Sequence, residues 1–86
     1  MRATIRKCDH TGDSVLKEYD TEDTASVKVA QEELKKFLEA CVKHYGTRPP
    51  VWARRLGQRD FDPFNTAQDD LSQVDEVICQ FPMVGG

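Results

Sequence analysis

The last six residues, Phe81-Pro82-Met83-Val84-Gly85-Gly86, join apolar side chains to a pair of glycines. A glycine carboxylate can enter a narrow cleft that a branched residue would block, because glycine has no side chain and accepts φ of either sign. Six extended residues span about 20 Å, which is enough to thread such a cleft. We therefore expect the carboxylate of Gly86 to be able to reach the active site of a partner enzyme, where a carboxylate could be activated for acyl transfer.

The residues before this glycine are expected to guide the tail into the partner. Pro82 cannot donate to a sheet ladder and stiffens the exit from a preceding strand. Apolar side chains at Phe81, Met83 and Val84 offer anchors to a groove, and Gly85 keeps the approach unbranched. The alternative is that the tail has no function and its two glycines occur by chance. Two glycines at the last two positions are expected by chance in about one chain in 200.

An amphipathic helix is the clearest element that could support this tail. Apolar residues recur at steps of three and four on one face, with charged residues on the other. The predicted core face comprises Val27, Ala30, Leu34, Phe37, Leu38, Cys41 and Tyr45. Thr24 or Ser26 is the predicted N-cap, Gly46 the residue after the C-cap, and Pro49-Pro50 prevents continuation.

Strand signals lie on both sides of the helix. Arg2 to Cys8 and Ser14 to Asp20 predict a hairpin whose loop contains Gly12. After the helix, Val51 to Leu56 and Asp75 to Phe81 predict two further strands.

The turn-prone residues 58–70 predict an ordered loop with a short helix or strand. A sheet with the last strand central and parallel to the first would bury one face of the helix. The sequence thus predicts an α+β fold of the β-grasp type over residues 1–80, a mixed sheet with one helix, followed by an extended tail over 81–86.

The C-terminal run from Val74 to Gly86 resembles that of the small sulfur-carrying subunit of molybdopterin synthase, in which a D-E-V strand runs into F-P-P-V-x-G-G. This chain has Met83 at the second proline and no residue between Val84 and Gly85. The order of elements and the Gly-Gly end also resemble ubiquitin and its bacterial relatives.

This resemblance implies three alternative functions. The first is a ubiquitin-like modifier, activated at Gly86 by an adenylating enzyme of the ubiquitin-activating type and transferred through a thioester to a target amine. The second is a sulfur carrier whose C-terminal thiocarboxylate serves cofactor synthesis. The third is a β-grasp adaptor that is never conjugated. A modifier would also need a conjugating enzyme, a deconjugating metalloprotease and target proteins, and only the activating enzyme would use ATP.

Aromatic and basic residues cluster around the third predicted strand, as Trp52, Arg54, Arg55 and Arg59. Tryptophan and arginine are frequent interface hot spots, so we expect this segment to dock a partner, the alternative being a solvated face. Strand alternation turns Ile78 and Gln80 away from Val77 and Cys79, which makes Ile78 a further docking candidate.

Composition excludes several other functions. A net charge of −3 disfavours nucleic acid as a partner. Neither a membrane span nor a secretory signal is apparent, so we expect a cytoplasmic protein with reduced thiols, of which Cys8 is the most exposed.

Catalytic and metal motifs are also missing from the sequence. Asp60, Asp62, Asp69 and Asp70 lack the glycine and glutamate of a calcium loop, and His10 and His44 have no third ligand at metal spacing. With no phosphate loop or nucleophile elbow either, we expect a substrate of partner enzymes rather than an enzyme, with no bound metal or cofactor.

Overall fold

A computed structural model describes residues 1–9 and 12–81 of the chain. The elements in chain order are β1 (Arg2–Asp9), β2 (Gly12–Asp20), α1 (Thr24–Tyr45), β3 (Val51–Arg55), β4 (Phe61–Pro63), a short 3₁₀ helix (Leu71–Gln73) and β5 (Val74–Gln80). Within these described ranges, no helix is both long and apolar enough to cross a membrane.

The strands form one five-stranded mixed sheet in the order β2-β1-β5-β3-β4. β5 lies in the middle, parallel to β1 and antiparallel to β3, while β1 pairs with β2 and β3 with β4 in antiparallel fashion. The predicted α+β fold, a hairpin followed by one helix and a mixed sheet with a central last strand, is confirmed. The arrangement is β-grasp-like.

The caps of α1 show which local signals decided its ends. Asp23 is the N-cap, because its Oδ1 accepts hydrogen bonds from the backbone N–H groups of Ala25 at 3.0 Å and Ser26 at 3.4 Å. The prediction of Thr24 or Ser26 was wrong, since the Ser26 hydroxyl instead accepts from the backbone N–H of Asp20. Gly46 ends the helix as predicted, with φ 81° and its N–H donating to the Val42 carbonyl at 2.8 Å.

The core lies between α1 and the inner face of the sheet. The helix contributes five buried residues, all from the predicted face: Val27, Ala30, Leu34, Leu38 and Cys41. Phe37 is partly buried against the same cluster. Tyr45 was predicted to be buried but is 61% exposed, because it lies in the last turn of α1, where its ring packs against the rings of His44 and Phe81.

Buried residues of the sheet and the 3₁₀ helix close the other side of this core. They are Ala3, Ile5, Tyr19, Ala53, Leu71, Val74, Val77 and Cys79. The buried Tyr19 hydroxyl lies within 2.8 Å of the Leu71 carbonyl and 3.2 Å of the Val74 carbonyl, and so ties β2 to the start of β5. Val77 and Cys79 are fully buried while Gln80 is exposed, which confirms the predicted alternation along β5.

Residues 58–70 contain a short strand, one of the two elements that the sequence left open. β4 pairs Phe61 with Arg54 and Pro63 with Trp52 at the edge of the sheet, where a proline is tolerated. Several strand ends differ by one or two residues from the prediction: β1 ends at Asp9, β2 begins at Gly12, and β5 runs from Val74 to Gln80. β3 stops at Arg55, where the N–H of Leu56 donates to the Gln73 carbonyl.

Candidate functional site

The described chain ends at Phe81, directly after the central strand. The N–H of Phe81 donates to the Cys8 carbonyl at 2.8 Å, and the N–H of Gln80 donates to the Pro50 carbonyl at 3.0 Å. The backbone is therefore held on both sides until the residue at which the Gly-Gly tail begins. Tail residues Pro82, Met83, Val84, Gly85 and Gly86 lie outside the described residues, and their recognition by a partner stays a prediction.

The Phe81 side chain packs against the protein's own helix. Its ring centroid lies 5.8 Å from that of Phe37 in an edge-to-face arrangement and 5.6 Å from that of Tyr45. Aromatic pairs at such distances contribute about 0.5–1.5 kcal/mol beyond their burial. The sequence assigned Phe81 to the tail as a partner anchor, which stays a prediction, and in the structure its ring packs on Phe37 and Tyr45 of α1.

Three of the five predicted docking residues, Trp52, Arg54 and Ile78, share the outer face of the sheet, opposite α1. Trp52 on β3 lies directly across from Ile78 on β5, and Arg54 follows two residues later on the same face. Trp52 and Ile78 line a shallow groove together with Cys8, Phe61 and Gln80. An apolar patch on a sheet face, bordered by charged groups, is suited to protein contact.

Arg54 is bound within the protein rather than free. Its Nε donates to Asp75 Oδ1 at 3.0 Å, and its Nη2 lies 3.3 Å from Glu76 Oε2. The hydrogen bond to Asp75 is the main cause that raises the pKa of the guanidinium. Arg6 Nη1 contacts the other Glu76 oxygen at 3.1 Å, and the Arg54 guanidinium lies 5.6 Å from the Phe61 ring centroid. These contacts hold the rim of the outer face in one geometry.

Arg55 is not part of this face. It lines a separate depression together with Ala53, Asp62, Gln73 and Val74, at a register shift between Arg54 and Arg55. The structure thus brings Trp52, Arg54 and Ile78 together and separates Arg55 from them. Sequence reasoning missed Phe61, because only the pairing of β4 with β3 brings its ring to Arg54.

The indole of Trp52 contributes apolar area to the face. Its Nε1–H is buried and has no hydrogen-bond acceptor among the described residues. An unpaired buried donor costs about 1–3 kcal/mol.

The three thiols are protonated at neutral pH. Burial raises the pKa of Cys79 to about 12 and also raises the pKa of Cys41. Partial burial, and then the hydrogen bond from Cys8 Sγ to Asp13 Oδ1 at 3.5 Å, raise the pKa of Cys8. Since the thiolate is the nucleophile, no cysteine here is poised to attack an acyl group.

This arrangement predicts the order of thiol modification. In the folded protein at pH 8, iodoacetamide should modify the half-buried Cys8 first. Peptide mass mapping of the alkylated protein at successive times would identify which cysteine carries the adduct. Cys41 and Cys79 should react at least about a hundredfold more slowly, because they must wait for the protein to open. Equal rates for all three thiols without denaturant would contradict the burial described here.

Metal ligands do not converge within residues 1–9 and 12–81, where no group of three or more His, Cys, Asp or Glu side chains could hold an ion.

Comparison of the chain with protein-family models, with curated proteins and with solved structures found no match.

Proposed function

We propose that the chain is a ubiquitin-like protein modifier that acts through the carboxylate of Gly86, whether translation or a protease exposes it. A partner adenylating enzyme joins this carboxylate to the α-phosphate of ATP and releases pyrophosphate. A cysteine thiolate of the partner then displaces AMP to form a thioester. Finally an amine of the target protein displaces the thiol and forms an amide bond.

The observation that carries this proposal is the path of the chain into its Gly-Gly tail. β5 is the central strand, and its last residues are held by Cys8 and Pro50, with Phe81 packed on α1. Five residues, Pro82 to Gly86, follow this attachment and can span at most about 17 Å. A rigid body carrying a short tail of this composition suits an enzyme that must grip the body and receive the carboxylate separately.

A sulfur carrier is the second candidate, and the Asp75-Glu76-Val77 strand leading into Phe81-Pro82 favours it. In that function the activated carboxylate of Gly86 would exchange one oxygen for sulfur. The tail is one residue shorter than in the subunit that it resembles, which would place the carboxylate about 3.5 Å nearer the body. This difference favours the modifier.

The two functions are separated by one experiment on the purified chain ending at Gly86. ATP–pyrophosphate exchange with adenylating enzymes from the same genome tests activation, and intact-mass analysis identifies the product. A thioester or an amide-linked adduct supports the modifier, whereas replacement of one oxygen by sulfur supports the carrier. If no adenylating enzyme supports exchange, the remaining function is that of a non-conjugated adaptor.

The outer face should contribute to recognition by the activating enzyme. Truncating Trp52 to alanine, or Ile78 to alanine, should raise the KM for the protein at least about tenfold with kcat little changed, as expected for hot-spot residues. Arg55→Glu is the matched control from the same strand, since Arg55 lies outside this face.

Circular dichroism should show that all three variants remain folded. Equal KM values for wild type, Trp52→Ala and Ile78→Ala would show that this face is a solvated surface without a role in recognition. A large effect of Arg55→Glu alone would indicate that the docking site lies on the other side of the sheet.

A further inference from the structure

A pocket with a volume of about 410 Å³, the Phe64 pocket, lies between the first half of α1 and the segment 64–71 that follows β4. Its deepest lining residues belong to the core: Leu34 and Leu71 are buried, and Phe64 is partly buried against the same cluster. Small-molecule sites in proteins are concave and about 300–1,000 Å³ in volume, and they are lined largely by apolar groups. The Phe64 pocket therefore has the size and the apolar floor of a small-ligand site.

One wall of this pocket is held in place by its own hydrogen bonds. Asn65 Oδ1 accepts from the N–H of Ala67 at 2.9 Å, and Asp69 Oδ2 accepts from the N–H of Asn65 at 2.8 Å. At the end of the same segment, the Tyr19 hydroxyl lies 2.8 Å from the Leu71 carbonyl. Because a site that is ordered before its ligand arrives loses less conformational entropy on binding, this wall favours the affinity of the pocket for a ligand.

Cationic side chains surround the floor of the Phe64 pocket. Lys28 and Lys35 line it from α1, and Arg48 lines it from the connection between α1 and β3. All three are exposed, and none forms an ion pair with a described residue. Two acids, Glu32 and Asp69, also line the pocket, and one oxygen of Asp69 already accepts a backbone N–H. In a chain of net charge −3, this local excess of three cations over two acids favours an anionic ligand.

We propose that the Phe64 pocket binds a small organic acid, with its apolar body against Phe64 and its carboxylate among Lys28, Lys35 and Arg48. The apolar body would displace water from the floor and from the aliphatic stems of the lysines. The carboxylate would accept charge-assisted hydrogen bonds, which the planar Arg48 guanidinium can donate in pairs. None of the lining residues belongs to the outer face of the sheet, and binding does not require activation of Gly86.

A partner protein is a less suitable occupant of this pocket. A stable protein interface buries about 800 Å² on each partner and has an apolar centre. The large apolar side chains that are exposed in the described residues all lie outside the pocket: Met1, Val15, Leu16, Val29, Val42, Tyr45 and Leu56. The apolar floor is therefore bordered by polar and charged side chains and does not continue into a surface on which a protein could dock.

The test uses the full chain and a matched pair of probes, 2-naphthylacetate and its uncharged amide, which share one apolar body and differ in the anionic group. Titration of 2-naphthylacetate into the ¹⁵N-labelled protein should shift the amides of residues 28–35 and 64–71. The carboxylate should bind about fivefold more tightly than the amide, as expected for a favourable exposed ion pair. Raising the salt concentration from about 0.05 M to about 0.5 M should remove most of this preference, because salt screens exposed charges.

Two neighbouring lysines of α1 provide matched variants. Lys35 lines the Phe64 pocket, whereas Lys36 lines a groove on the other flank of the helix, beside β2. Lys35→Gln should weaken binding of the carboxylate about threefold and leave the affinity for the amide unchanged, while Lys36→Gln should change neither affinity by more than about 1.5-fold. Ala67→Trp, at an exposed position on the wall, should fill the pocket and weaken both probes at least about tenfold.

Three results would overturn the proposal: equal affinity for the two probes, shifts confined to β2 or to the outer face of the sheet, or no shift at millimolar 2-naphthylacetate. Equal effects of Lys35→Gln and Lys36→Gln would also overturn it, because they would show a general attraction of the anion to α1 rather than a site. Each readout is a binding measurement and does not depend on whether Gly86 is ever adenylated, so this proposal and the proposed function can fail separately.

Discussion

Deleting Gly86 is expected to abolish ATP–pyrophosphate exchange by the cognate adenylating enzyme. The shortened chain still ends in a glycine, Gly85, so the deletion leaves the chemistry of the end group unchanged and removes only reach. One residue withdraws the carboxylate by about 3.5 Å. Because a misplacement of about 1 Å can cost roughly a hundredfold in rate, exchange should fall by well over that factor.

Gly86→Val tests the other requirement of the same step, which is an unbranched end. A β-branched side chain would crowd the cleft and restrict φ, so we expect a severe loss of exchange even though the reach is restored. Neither change replaces a residue of the buried core, so both proteins should unfold at the wild-type urea midpoint. Full exchange by the deletion variant would refute the proposed role of Gly86 and leave only the adaptor function.

Leu34→Ala is expected to be the most destabilising of the changes considered, at about 2–5 kcal/mol, as for other large-to-small substitutions in cores. Leu34 is 3% exposed and belongs to the cluster between α1 and the sheet. A domain of this size has a total stability of about 5–15 kcal/mol, so the loss would be a large share of it. Urea unfolding should show a lower midpoint with an unchanged m value.

Val29→Ala is the matched control on the same helix. Val29 is 46% exposed, so its truncation should change the free energy of unfolding by less than about 0.5 kcal/mol. An equal effect of the two substitutions would show that the helix does not pack through the face that contains Leu34.

Packing across the chain explains the details that sequence patterns missed. Tyr45 is exposed although it continues the apolar face of α1, because burial depends on which residues of other elements face that position, and no local pattern records this. The position of Arg55 depends on a register shift between β3 and β5. Similarly, a register shift between β1 and β2 leaves Leu16 as an extra residue of β2, where it lines a groove with Leu34 and Phe37 of α1, whereas simple alternation would place it on the outer face.

By itself, the sequence determined the helix, the strands of the hairpin, the β-grasp-like order of elements and the composition of the tail. These features follow from apolar periodicity, from Gly46 and from the prolines, all of which act within a few residues. Only the tertiary structure decided that Phe81 packs on Phe37 and Tyr45, and that Trp52 and Ile78 face outward together. Such contacts join residues distant along the chain, and their geometry is set by strand pairing and register rather than by local preference.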